Sequence, residues 1–169
     1  MGQTYTPVAE LHVTVWNHVL LENPMNGPPA KFDINACIAA ARDIGTRTLS
    51  GTSAFNVHFR GLIPTRETIL ACVFDGGALN RLREHMRAEG IRTGCYSPDQ
   101  PLFPNIVHVS LARFTDPNSV VGAETKRDII ARFANWDFGR LTVRNIALRH
   151  FRAFAIYESA ELLTNYPLV

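Results

Sequence analysis

Apolar and polar positions alternate with a period of two along several stretches of this chain and with a period near 3.6 along three others. The first two-fold stretch spans about 10–19 and predicts a strand; a Pro/Gly/Asn-rich loop follows over 22–29. Asp33 is placed to cap a helix carrying Ile34, Cys37, Ile38 and Ala41 on one face, with Gly45 as its stop. A strand is predicted near 54–62, where Phe55, Val57 and Phe59 alternate with Asn56, His58 and Arg60. Pro64 and the turn Thr65-Arg66-Glu67 lead to an apolar strand over 68–74. Gly76-Gly77 opens a helix with Leu79, Leu82 and Met86 at helical spacing, closed by Gly90. A loop over 92–104 holds three prolines and no period. It precedes a strand over 105–114, which Asp116-Pro117 ends. A helix near 121–134 bears Ile129, Ile130 and Phe133, and strands near 139–149 and 152–158 lead to Tyr166-Pro167-Leu168.

The order is β-α-β-β-α, then β-α-β-β: each half opens on a strand followed by a helix and two strands, and the first adds a further helix. The pattern predicts an α+β fold: a two-lobed, pseudo-symmetric domain whose antiparallel sheets line a central cleft, with helices outside. The whole of 1–169 is read as one domain, with lobes of roughly 1–91 and 105–169 joined by the 92–104 loop and with room for strand exchange.

Composition narrows the class. With 169 residues, 46% hydrophobic and 19% charged, the chain can bury a core without staples. Its three cysteines, Cys37, Cys72 and Cys95, follow no metal or disulfide spacing and predict reduced thiols in a cytoplasmic protein. No stretch has the length and apolarity of a membrane helix or a signal peptide, so no membrane partner is expected. The net charge of +2 is too small to argue for duplex DNA binding. Fifteen of the 17 basic residues are Arg, which suits phosphate recognition, but genomic base composition accounts for that bias equally well.

Two stretches repeat one grammar. Leu11-His12-Val13-Thr14-Val15 and Val107-His108-Val109-Ser110-Leu111 each read apolar, His, apolar, hydroxyl, apolar, with the histidines 96 positions apart. On a strand this puts His and hydroxyl on one face and aliphatics on the other. One such match is expected by chance in a chain with six histidines; two, each inside a strand-like run at the head of matching halves, carry more weight. His18, His58, His85 and His150 lack the hydroxyl two residues on.

Paired His-x-Ser/Thr strands about a hundred residues apart resemble the 2H phosphoesterase superfamily, which includes 2′,5′ RNA ligase-like proteins and cyclic phosphodiesterases. Phe103-Pro104 ahead of the second motif, its continuation into Ala112-Arg113, the Tyr157 strand and the Tyr166-Pro167-Leu168 end are similar to that family. Val107 stands where the family often has Pro, and Ser110 where Thr is commoner; neither change removes a reacting group.

The resemblance implies a metal-independent phosphoric diester hydrolase, without cofactor, acting on a cyclic or 2′,5′-linked ribose phosphodiester of an RNA end or small nucleotide. Reverse 2′,5′ ligation is a minor expectation. His12 and His108 would serve as general acid and base, one from each lobe, because imidazole titrates near neutrality. Thr14 and Ser110 would donate hydrogen bonds to the non-bridging oxygens. The alternative is a silent RNA- or nucleotide-binding module using the same cleft. The expected partners are a nucleotide or RNA end, with no metal, and the protein is expected to be a monomer.

Trp16 shares parity with His12 and is a candidate for stacking a base, with ordinary packing equally open. Tyr96, in the loop before the second motif, is a candidate ring to close over a base. His58 and Arg60 read as a solvated outer face, with phosphate binding as the lesser option. Strict alternation turns Arg113 away from His108.

Overall fold

The computed structural model describes residues 3–5, 12–16, 33–65, 68–96, 107–114, 120–150 and 160–169. The loops expected over 22–29 and over 97–104, the Asp116-Pro117 break, the strand expected at 152–158, and His18 lie outside the described residues. The described elements run β1 (Gln3–Tyr5), α1 (Ile34–Leu49), β2 (Phe55–Pro64), β3 (Thr68–Phe74), α2 (Ala78–Arg92), β4 (His108–Phe114), α3 (Val120–Phe133), β5 (Asp137–Val143), β6 (Asn145–His150) and β7 (Glu161–Pro167). The expected α+β class is the observed one, with antiparallel ladders: a five-stranded sheet in the order β1-β4-β3-β2-β5 and a two-stranded sheet, β6-β7. Among the described residues no helix is long and apolar enough to cross a membrane.

Two compact units emerge, and each draws on three stretches of chain. The first comprises Met1–Thr14, Asn56–Gly77 and Asn105–Thr142; the second comprises Val15–Phe55, Ala78–Pro104 and Val143–Val169. The sequence predicts nearly continuous lobes; the observed units interleave instead. The strand expected over 139–149 divides at Arg144, so β5 joins the first unit's sheet while β6 pairs with β7 in the second unit.

In the first unit, Val57, Ala71, Val73, Val109 and Ala112 are buried and form the apolar face of the sheet. Two register shifts bend it. On β2, Phe59 faces Val73 but Leu62 faces Ala71, so Arg60 and Gly61 together stand opposite Cys72. Gly61 has φ +77°, and a Cβ there would collide with the Ala134 carbonyl oxygen, while its N–H donates to Trp136 O at 2.8 Å. Only glycine meets both demands. On β4, Ser110 faces Leu70 and Ala112 faces Ile69, which leaves Leu111 as an extra residue.

In the second unit, α1 and α2 enclose Ile44, Leu49, Leu82, Met86 and Tyr96, with Val15, Trp16, Ile91, Ile146 and Tyr166 packed against that cluster. Asp33 caps α1 as expected, its Oδ1 accepting from Asn35 N at 2.9 Å and Ala36 N at 3.2 Å. Gly45 does not stop α1. The helix continues past it, and the Tyr166 ring lies against that turn, where a Cβ would sit 2.5 Å from the phenol oxygen. Gly90 likewise lies inside α2, beneath the Tyr96 ring, and the helix ends two residues later. In both cases a close aromatic contact explains the glycine better than a cap does.

Candidate functional site

β4 carries the second motif where it was expected. His108 stands opposite Cys72 of β3, Val109 opposite Ala71 and Ser110 opposite Leu70. Val109 is 6% exposed, while His108 and Ser110 are half-buried on the other face. The Nδ1 atom of His108 is buried from solvent.

The extra residue in β4 changes which side chains accompany His108. Val109 and Ala112 are both buried although they are three apart, because Leu111 shifts the parity of everything after it. Arg113 therefore lies on the face of His108 and Ser110, opposite Thr68, and does not point away from them. This corrects the strict-alternation reading. A signal was present in the sequence: unbroken alternation from Val107 sends Ala112 to the polar face and an arginine to the apolar one.

The first motif has a different setting. Residues 12–16 form no strand; the N-terminal strand is β1, at Gln3–Tyr5, antiparallel to β4 with Thr4 opposite Arg113. His12 is exposed and Thr14 half-buried. Both belong to the first unit, the same one that holds His108 and Ser110. His12 and His108 thus fall in the same unit, where the sequence predicts one histidine per lobe, and Gln3–Tyr5 pairs with β4 in that unit's sheet.

The chain passes to the second unit after Thr14 and is anchored there at once. Arg83, 4% exposed, donates from Nε to the Val15 carbonyl at 3.0 Å and from Nη1 to Asn80 Oδ1 at 3.3 Å. Trp16 packs on the unit's core, with its ring 5.5 Å from Tyr96 and tilted by 37°. Tyr96 is 7% exposed, and burial pushes its phenol well above the usual tyrosine range. Of the two candidate rings for meeting a base, Tyr96 is a core residue and Trp16, for which the sequence leaves packing equally open, packs beside it. Their observed contact holds the segment next to the motif rather than offering an open platform.

His58 lies on the more exposed face of β2, with Asn56 and Arg60, while Val57 on the other face is buried. His58 pairs with Phe74 of β3, so the ladder puts it on the same face as Cys72 and His108. Its Nε2 donates to Asp137 Oδ1 at 2.9 Å, with the imidazole 24% exposed. That bond, followed by the Gly139 N–H at 2.7 Å, holds the Asp137 carboxyl below the usual carboxylate range. Next to this pair, an open depression of about 360 Å³ is lined by Asn56, His58, Phe74, Asp75, Gly76 and Arg140. The sequence gives no hint of this region because Asp137 and Arg140 lie some eighty positions from His58, with no motif to link them.

Among the described residues, no group of three or more His, Cys, Asp or Glu is arranged to hold a metal ion. Cys37, Cys72 and Cys95 are free thiols.

No family model matches this chain, and no curated protein does. Among solved structures, the TT0787 protein of Thermus thermophilus is similar in fold. It aligns with a TM-score of 0.61 over 99% of this chain and 82% of its own, at 18% identity. At that identity the likeness establishes a shared α+β architecture and nothing about chemistry.

Proposed function

We propose that this protein is a two-histidine phosphodiesterase acting on a cyclic or 2′,5′-linked ribose phosphodiester at an RNA end or in a small nucleotide. The observation that carries this reading is the convergence on one sheet face of His108, Ser110 and Arg113, in the unit that also contains His12 and Thr14.

In-line displacement at phosphorus needs a base for the incoming water, an acid for the leaving oxygen and donors for the charge on the non-bridging oxygens. His12 and His108 supply the first two. With Nδ1 of His108 turned inward, Nε2 is the nitrogen that exchanges the proton. Thr14 and Ser110 supply hydroxyl donors, and Arg113 adds a guanidinium with two parallel N–H groups for the anion. The four motif residues suffice for hydrolysis without a resident metal. Ligation is the same in-line attack on a 2′,3′-cyclic phosphate with a ribose 5′-hydroxyl in place of water: the new P–O5′ bond forms as the P–O3′ bond breaks and the 3′ oxygen leaves as a hydroxyl, protonated by the general acid.

The test is turnover of nucleoside 2′,3′-cyclic phosphates, a 2′,5′-linked dinucleotide and an RNA ending in a cyclic phosphate, in buffer containing EDTA. Hydrolysis of at least one of these is expected. Affinity for all of them without product from any would instead make the protein a silent nucleotide-binding module.

A further inference from the structure

The depression beside the His58–Asp137 pair is not used by the reaction above, yet it is built like half of a nucleotide site. Phe74, at the end of β3, is 57% exposed and its ring borders the hollow. Arg140 is exposed on β5 beside it, and its side chain borders the same hollow. Asn56 accepts a hydrogen bond from Thr142 Oγ1 at 2.8 Å through its Oδ1, which fixes the amide and leaves its NH2 group as the donor for a ligand. His58 is held from one side by Asp137, so its ring orientation is set. An open aromatic face, a guanidinium and fixed polar groups are what a base, a phosphate and a sugar each require.

The ladder connects this hollow to the proposed reaction centre. His58 faces Phe74, and two residues further along β3 Cys72 faces His108. Two inter-strand steps and a two-residue rise put the Cα atoms of His58 and His108 about 12 Å apart on one face. That span suits the nucleotide joined to the one undergoing reaction.

We propose that Phe74, Arg140, His58 and Asn56 form a second nucleotide subsite that takes the residue adjoining the scissile phosphodiester of a single RNA strand. The base stacks on Phe74 and its phosphate pairs with Arg140. The substrate class then becomes an oligoribonucleotide end rather than a free cyclic nucleotide. This inference rests on the proposed phosphodiesterase reading only for the identity of the neighbouring centre.

Equilibrium binding tests it without turnover. Adenosine 3′-monophosphate and a triadenylate ending in a 3′-phosphate are titrated against the full chain by competition with a fluorescein-labelled triadenylate. The trinucleotide should bind at least about tenfold more tightly. Arg140→Ala and Phe74→Ala should each bring that ratio close to one, Arg140→Lys and Phe74→Tyr should keep part of it, and Arg132→Ala, which removes the same charge from α3, should keep all of it. A ratio near one in the unaltered protein, or one that survives both alanine substitutions, overturns the subsite. If cyclic phosphates are not hydrolysed but the Arg140-dependent ratio persists, the phosphodiesterase reading fails and the subsite stands.

Discussion

Ser110 and Arg113 in the proposed reaction, and Arg83 and Asp137 in the fold, each act through a different physical effect. Ser110 stands on the His108 face of β4, where its hydroxyl can meet an anion; Ser110→Ala should lower kcat about ten- to a hundredfold with little change in KM, since the bond strengthens as charge develops. On the proposed reading Arg113 meets bound and reacting phosphate alike, so Arg113→Ala should raise KM as well as lower kcat, and Arg113→Lys should recover only part because the fork is lost. Arg83 acts at a distance: with its guanidinium buried and bonded to the Val15 carbonyl, Arg83→Met should cost about 1–3 kcal/mol of stability, read from urea unfolding, by leaving that carbonyl without its donor. Asp137 gives a pH signature. Its carboxyl is held low by His58, so its contribution to stability is present above the ordinary aspartate range and is lost as pH falls through the lowered value. The urea midpoint of Asp137→Asn should accordingly lie below that of the unaltered protein at neutral pH and converge with it in acid.

Elements are legible where a period runs without interruption. Asp33 and the spacing of Ile34, Cys37, Ile38 and Ala41 suffice to place α1, and the apolar run over Thr68–Phe74 suffices for β3. Legibility fails wherever a non-local contact sets the outcome. Gly45 reads as a helix stop because the ring that requires it, Tyr166, comes from far along the chain, and Gly90 does so because the Tyr96 ring folds back on it from just beyond the helix end. Strict alternation misplaces Arg113 because one added residue in a strand reverses every face beyond it, and the bulge is set by pairing with β3. The Gly45 contact is testable at this scale. Gly45→Ala gains helix propensity but forces a methyl into the Tyr166 ring, and a net loss of about 1–2 kcal/mol is expected. Combining it with Tyr166→Leu should cost less than the two single changes added together, which a double-mutant cycle in urea would measure.

At the scale of the molecule, the chain crosses repeatedly between two units, so neither motif belongs to a separable half. Met1–Thr14 completes the unit that holds His108, and the unit's sheet has β1 beside β4. The matching order of elements in the two halves of the sequence predicts histidines facing each other from opposite lobes. Both instead fall in one unit, whose sheet joins strands distant in sequence such as β1 and β4, which no local pattern reports. The proposed function is suggested in the sequence only by the repeated His-x-hydroxyl pattern; the hollow at Phe74 and Arg140 required the ladder. A working site also requires the two imidazoles to act on a single phosphorus, and kinetics read that requirement directly. The decisive measurement is the pH dependence of kcat/KM for 2′,3′-cyclic phosphate hydrolysis by the unaltered protein and by His12→Ala, His108→Ala and the double variant. The account predicts a bell-shaped profile, a loss of at least about a hundredfold with one limb removed in each single variant, and a double variant scarcely slower than the worse single one. Undiminished hydrolysis in either single variant, or independent losses that multiply in the double, would contradict it.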